Sequence, residues 1–208
     1  MSFLAEVMMK GIEVLYQLTS SYGLAVILFT VVLRLVLLPL SISQTRSMLK
    51  QQELQPLINQ IQKKYKNDPK KMNEELAALF KENKVNPLGS CLMLLIQFPF
   101  LIAFLQALER YEPLKDAVFL GITLGQPEKV VLPVLAGLTT FIQFKVSMPA
   151  GESGQGAMLY VFPLVIWWMA MRFAAALSLY WVVSNIWSIG ERFLLPKPRV
   201  RKEEAKGT

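Results

Sequence analysis

The sequence has no histidine, one cysteine and little charge, and each shortage excludes something. Without histidine the commonest general base and the commonest metal ligand are both missing. Cys91, standing alone, forms no internal disulfide and builds no zinc site. Charged residues are 18% of the 208, against about a quarter in ordinary soluble domains. There is no P-loop, no G-x-S-x-G elbow and no metal-ligand spacing. The chain therefore reads as a protein that is not an enzyme and calls for no cofactor. What it has instead is apolar residues, 53% of the total, gathered into runs of bilayer-crossing length.

Four such runs stand out. They are Tyr22 to Ile42, Leu88 to Leu108, Val130 to Met148, and a long one from Ala157 to Gly190 that Arg172 interrupts. The last is too long for one helix and reads as a hairpin, Ala157 to Met171 followed by Phe173 to Gly190. A fifteen-residue helix rises only about 22 Å, short of the roughly 30 Å hydrocarbon core. Either the bilayer is thinned around it, or the pair is re-entrant. The expected fold is an all-α integral membrane protein with five transmembrane helices. Pro39, Pro99, Pro133 and Pro163 fall inside the spans and are expected to kink them.

Lysine and arginine then set direction. Sixteen of the 22 lie in the Arg46–Asn86 segment, at Lys145 or after Gly190, and five lie in the other loops. The richer side is cytoplasmic, which places the N-terminus outside and the C-terminus inside. The expected divisions are an amphipathic interfacial helix at 1–20, a first transmembrane helix at 21–45, and a cytoplasmic helical hairpin at 46–86. Transmembrane helices two to five follow at 87–195, then a basic tail at 196–208.

In the first segment Leu4, Met8, Ile12, Leu15 and Leu18 recur at helical spacing, opposed by Glu6, Lys10, Glu13 and Gln17. Such a helix lies in the outer membrane interface or packs on its own bundle. It lacks the basic start and cleavage site of a signal peptide. In the hairpin, one apolar stripe is Leu54, Leu57, Ile58, Ile61 and Tyr65, and another is Met72, Leu76, Leu79 and Phe80. Asn67-Asp68-Pro69 marks the turn between them. Two thin stripes make a weakly anchored element. Its lysines, among them Lys63, Lys64, Lys66, Lys70 and Lys71, and the tail's Arg199, Arg201 and Lys202 admit two readings. One is retention on the cytoplasmic side with contact to anionic lipid. The other is binding of a polyanion such as ribosomal RNA.

Arg34 is the residue that demands a function. An arginine at a helix centre costs roughly 2.5 to 3.5 kcal/mol on insertion scales. No span offers a mid-depth Asp or Glu to pair with it. Polar candidates that share helix faces are Thr30 and Ser41 with Arg34, Thr139, Thr140 and Gln143 on the third span, and Gln97 in the second. Ser178, Trp181, Ser184, Asn185 and Ser188 are expected to form a stripe on the fifth. The inference is a water-filled, positively charged concavity between helices. The alternative is interhelical hydrogen bonding alone.

Three strings then resemble a known family. Val32 to Met48 (VLRLVLLPLSISQTRSM), Asn86 to Phe104 (NPLGSCLMLLIQFPFLIAF) and Leu177 to Ile189 (LSLYWVVSNIWSI) look like the bacterial YidC insertases of the YidC/Oxa/Alb group. The resemblance covers nearly everything from Ser20 onward. It implies that Arg34 belongs to a hydrophilic groove open to cytoplasm and lipid and closed outside. On that resemblance Gln143 and Trp181 match groove-lining positions, and Gln97-x-Pro99 matches the second helix. The basic hairpin resembles the family's cytoplasmic coiled coil. The implied partners are nascent membrane proteins, the ribosome, the Sec translocon, the signal recognition particle receptor and the lipid bilayer. The implied location is the bacterial inner (plasma) membrane, multi-pass. Relatives often carry a large periplasmic domain or a lipoprotein signal before the first conserved helix. Neither is in this sequence, so a minimal form, or a chain beginning late, is expected.

The implied activity is insertion and folding of nascent membrane proteins, independently of or together with Sec. Rival readings are a small anion or solute transporter, which the unequal helices without an inverted repeat disfavour, and a structural assembly subunit.

Overall fold

The computed structural model describes residues 3–83, 85, 101–107, 110–147 and 155–194, and most of these are helical. α1 is Phe3–Thr19, α2 Tyr22–Val36, α3 Leu38–Lys64 and α4 Pro69–Glu82. Residues 101–107 are helical (α5). A single turn, α6 (Glu112–Lys115), precedes the two short strands β1 (Val118–Phe119) and β2 (Ile122–Thr123). α7 (Val131–Ser147), α8 (Gln155–Ala170) and α9 (Ala175–Leu194) complete the order. There are two compact units: α1, α2 and everything from α5 to α9 in one, and α3 from Pro39 with α4 in the other.

In the first unit α2 packs on α1 and α9, and α7 packs on α8 and α9. α1 buries Ala5, Met8 and Ile12. At Gly11 a Cβ would come within 2.6 Å of the Phe29 ring, so glycine permits the close approach of α1 to α2. Of the expected stripe, Met8 and Ile12 are buried, Leu4 and Leu15 half-buried, and Leu18 exposed. A second row, Phe3, Val7, Val14 and Leu18, faces outward. Ser20, at φ 53°, donates its N–H to the Tyr16 carbonyl at 2.7 Å. This left-handed residue ends α1 and lets the Tyr22 ring stack on Tyr16 at 3.9 Å.

The first long apolar run does not stay one helix. Pro39 lacks an N–H, and its ring would clash with the carbonyl four residues back, Leu35. The break falls at Leu37, and α3 is already running at Leu38, ahead of Arg46 where the hairpin was expected to begin. Pro133 sits in the first turn of α7, where no helical donor is lost, and Pro163 lies inside α8. Pro99 and nearly all of the expected second span lie outside the described residues.

The segment between α5 and α7, expected only as a loop, is ordered by its own backbone. β1 and β2 pair antiparallel with Val118 opposite Thr123 and Phe119 opposite Ile122. The turn uses Leu120 at φ 49° and Gly121 at φ 81°. Phe119 lies so close over Gly23 that a Cβ there would overlap its ring. The carbonyls of Leu124 and Gln126 accept from the N–H groups of Ala176 and Ala175, at 2.9 and 2.8 Å, capping the start of α9. Glu128 caps α7, its Oε1 accepting from Val130 and Val131 at 2.8 and 3.1 Å and its Oε2 from Leu132 at 2.7 Å. Burial alone would raise the Glu128 carboxyl. Its bonds to the backbone N–H groups of Val130, Leu132, Val131 and Lys129 outweigh that and hold it below the usual glutamate range. Leu114 and Leu124 are fully buried in this layer. Burial pushes the Tyr111 hydroxyl well above its ordinary value, and its hydrogen bond to Tyr22 adds to this.

The side chains facing away from this unit are apolar. Leu24, Leu28, Val32 and Leu35 form such a row on α2, as do Val131, Val134, Leu138 and Ile142 on α7. α8 presents Tyr160, Val161, Leu164, Val165 and Trp168. Rows of this size are rare on soluble proteins. Among the described residues no single helix is both long and apolar enough to cross a membrane, while α2 and α3 meet that test only as a bent pair. α9 has 20 residues, but its polar face lowers its mean hydropathy.

In the second unit Leu54, Ile58 and Val85 form a small core with Leu57, Leu76, Leu79 and Phe80 against it. Asp68 is the N-cap of α4, its Oδ1 accepting from the Lys71 N–H at 3.2 Å, with Pro69 at the first helical position. Lys63, Lys64, Lys66, Lys70 and Lys71 are all exposed.

Candidate functional site

Arg34, expected near the middle of a span, lies instead in the last turn of α2, just before the Leu37 break that Pro39 imposes, and is half-buried, about 18 Å along the helix from Tyr22. The helix beside it is α9, and the groups whose fields reach Arg34 are Tyr180 and Glu191. Those two are eleven residues apart, three helical turns, so they share one face of α9 with Ser184 and Trp187 between them. Tyr180, Ser184 and Glu191 are buried. Glu191 is an acidic residue within electrostatic reach of Arg34. It comes from the end of α9, because α2 and α9 start at the same end of the unit and run side by side.

That α9 face contains unmet hydrogen-bonding capacity. Among the described residues Ser184 Oγ and Trp187 Nε1 are buried with no partner, and so, about 100° further around the helix, is Nε of Arg192. A buried polar atom left unpaired costs about 1–3 kcal/mol. Water or a polar guest would satisfy such atoms.

The other expected residues are placed differently. Thr30 is fully buried one turn before Arg34, and its hydroxyl donates to the Val26 carbonyl at 2.7 Å. Asn185 Nδ2 donates to Thr139 Oγ1 at 3.0 Å and Thr140 Oγ1 at 2.8 Å, tying α9 to α7. Ser178 Oγ reaches the Ala170 carbonyl at 3.4 Å. Trp181 packs, partly buried, on Ala136, Ile166, Ala170 and Val182. Gln143 is half-buried one turn beyond Thr139 on α7. Gln97, Arg199, Arg201 and Lys202 lie outside the described residues.

The expected stripe of α9 thus divides into two faces. Ser178, Trp181 and Asn185 turn toward α7 and α8, while Ser184 belongs to the face toward α2. Tyr180, Trp187 and Glu191 were missed by the sequence reading. The signal available was the spacing of four, seven and eleven from Tyr180, hidden because tyrosine and tryptophan read as apolar. Among the described residues no three His, Cys, Asp or Glu side chains gather to hold a metal.

The family model described as 60Kd inner membrane protein matches residues 14–203. The chain belongs to this family. Among similar proteins, the membrane protein insertase YidC 2 of Bacillus anthracis is 40% identical over 91% of this chain and 77% of its own length. The membrane protein insertase YidC of Enterococcus faecalis is 43% identical over 89% of this chain and 71% of its own. A crystal structure of an active YidC insertase with its first transmembrane domain resolved superposes with a TM-score of 0.77 at 26% identity, covering 94% of this chain. The chain spans about half, 48%, of that crystallised protein. The outward apolar rows on α2, α7 and α8 are compatible with the membrane setting that the description of the 60Kd inner membrane family states.

Proposed function

We propose that this chain is a membrane protein insertase of the bacterial inner membrane, multi-pass, with its N-terminus outside and its C-terminus in the cytoplasm. The observation that carries the mechanism is Arg34 beside an α9 face whose Ser184 Oγ and Trp187 Nε1 have no partner among the described residues. A nascent chain inserting with an outer polar segment must take carboxylates, amides and carbonyls through hydrocarbon, where each unmet group costs several kcal/mol. Arg34 offers a cation to those carboxylates, and Ser184 and Trp187 offer donors to carbonyls. Gln143 on α7 and the partly buried Trp181, at the edge of the α9 face that packs on α7 and α8, border this path and serve as its reporters. The apolar segment of the substrate leaves along the exposed rows of α2 and α7 because lipid suits it better than a wet surface. The process needs no nucleotide.

The exposed lysines Lys63, Lys64, Lys66, Lys70 and Lys71 suit contact with the ribosome or the signal recognition particle receptor, as do Arg199, Arg201 and Lys202 by charge. Action beside the Sec translocon is compatible with the same surface.

The test is photocrosslinking from Gln143 and Trp181 to a stalled ribosome-bound nascent chain with one span, using a soluble nascent chain as control. Crosslinks from both positions to the membrane substrate alone are expected. Silence at both, with a probe on α4 still reacting, overturns the groove reading.

A further inference from the structure

The tip of the β1–β2 hairpin has an unusual residue in an unusual place. Both central turn positions have positive φ, the I′ arrangement that favours Asn, Asp or Gly. The first of them is Leu120, a branched side chain held in the left-handed region. Nothing among the described residues repays that strain, because Leu120 is 85% exposed and its neighbour Val118 is 64% exposed. Strain kept without an internal contact points to an external one.

Its position indicates which. Phe119, the residue before the tip, sits on Gly23 at the start of α2. Glu128 and the carbonyls of Leu124 and Gln126 fix the same loop to the starts of α7 and α9. The hairpin is therefore level with the common end of three helices. Aromatic residues mark that end as a membrane–water boundary. The Tyr16, Tyr22 and Tyr111 rings cluster there, and at the α8–α9 turn the Arg172 guanidinium stacks over exposed Trp168 at 5.0 Å. A leucine one residue beyond Phe119 lies within a few ångströms of that level.

We infer that Leu120, with Val118 beside it, is a lipid-contacting tip that sinks into the headgroup–acyl boundary and fastens the loop layer to the bilayer. The partner is the lipid surface itself, and the contact is apolar rather than headgroup-specific.

The experiment replaces the single cysteine, Cys91→Ser, and places an environment-sensitive nitrobenzoxadiazole probe on Leu120→Cys. A second protein carries it on Asp116→Cys, an exposed polar position of the same loop. Both are reconstituted in phosphatidylethanolamine–phosphatidylglycerol vesicles with iodide on both faces. The expected result is blue-shifted emission at position 120, quenched by lipid brominated at shallow acyl carbons and spared by iodide, with the reverse at 116. Iodide quenching at 120 overturns the inference. Protection from both iodide and brominated lipid also overturns it, in favour of a protein partner. Leu120→Asn, which suits the turn, is expected to keep the detergent melting temperature while abolishing protection of a probe on Val118→Cys. Unchanged protection there counts against Leu120 as the anchor.

Discussion

Replacing Asn185 with alanine is expected to loosen α9 from α7 by about 1–2 kcal/mol. Asn185 makes two bonds across the helices, to Thr139 at 3.0 Å and Thr140 at 2.8 Å. Interhelical hydrogen bonds in membranes average about 0.6 kcal/mol and reach about 1.7. The two hydroxyls are not equally affected. Thr139 also donates to the Leu135 carbonyl at 2.7 Å and stays bonded, whereas Thr140 is almost fully buried and loses the amide donor. The loss therefore concentrates on Thr140. Denaturant titration in mixed micelles with Asn185→Ala, Thr140→Val and the double variant isolates the pair, with an expected coupling of about 0.5–1.5 kcal/mol. If the two single effects add to within about 0.3 kcal/mol, the bond does not hold the helices and the reasoning fails.

Arg34→Ala is expected to block insertion of substrates with acidic outer segments, with Arg34→Lys restoring it, as read by protease protection of the inserted segment. Normal insertion of every substrate by the alanine variant removes the charge from the mechanism. Gly23→Ala forces the Phe119 ring away from α2 and should lower stability by about 1–3 kcal/mol, measured as a drop in melting temperature. Stability contributed by Glu128 is present above the ordinary glutamate range, near about 4.3, and is lost as pH falls through its lower folded value. Glu128→Gln should remove that acid-side dependence, and Glu128→Ala should cost about 0.5–2 kcal/mol as a lost cap. Asp68→Ala should speed amide hydrogen exchange across α4 and leave α7 and α9 unchanged, because it removes the N-cap of the smaller unit alone.

Helices were legible wherever a single local rule suffices. The Asn67-Asp68-Pro69 turn combines a capping side chain with a residue that can only start a helix, and α4 begins there. Arg172 separates α8 from α9 close to where the sequence reading divided the last run. The break at Leu37 was half legible. Pro39 announced a kink, but where the freed carbonyl interrupts the helix depends on the backbone that precedes it. The β1–β2 hairpin was illegible because two-residue strands have no periodicity to read, and its turn carries leucine where asparagine or glycine would have signalled it. For α1, two rows were apolar enough to bury. Gly11 decided which one did, by admitting Phe29 on the Met8 and Ile12 side.

By itself the sequence pointed to a mostly helical membrane protein, which the helical elements and the family support, and it singled out Arg34 as costly to place in hydrocarbon. These follow from composition and from the transfer energy of individual side chains, which need no neighbours. Family membership was also legible, because three strings in order survive in one dimension. The tertiary structure alone decided what faces Arg34. Ser184 and Asn185 are adjacent in sequence, yet among the described residues the Ser184 hydroxyl has no partner while Asn185 is bonded to α7. A turn of about 100° per residue separates them, and only the packing of α9 between α2 and α7 determines which of the two is turned to α2 and which is bonded to α7.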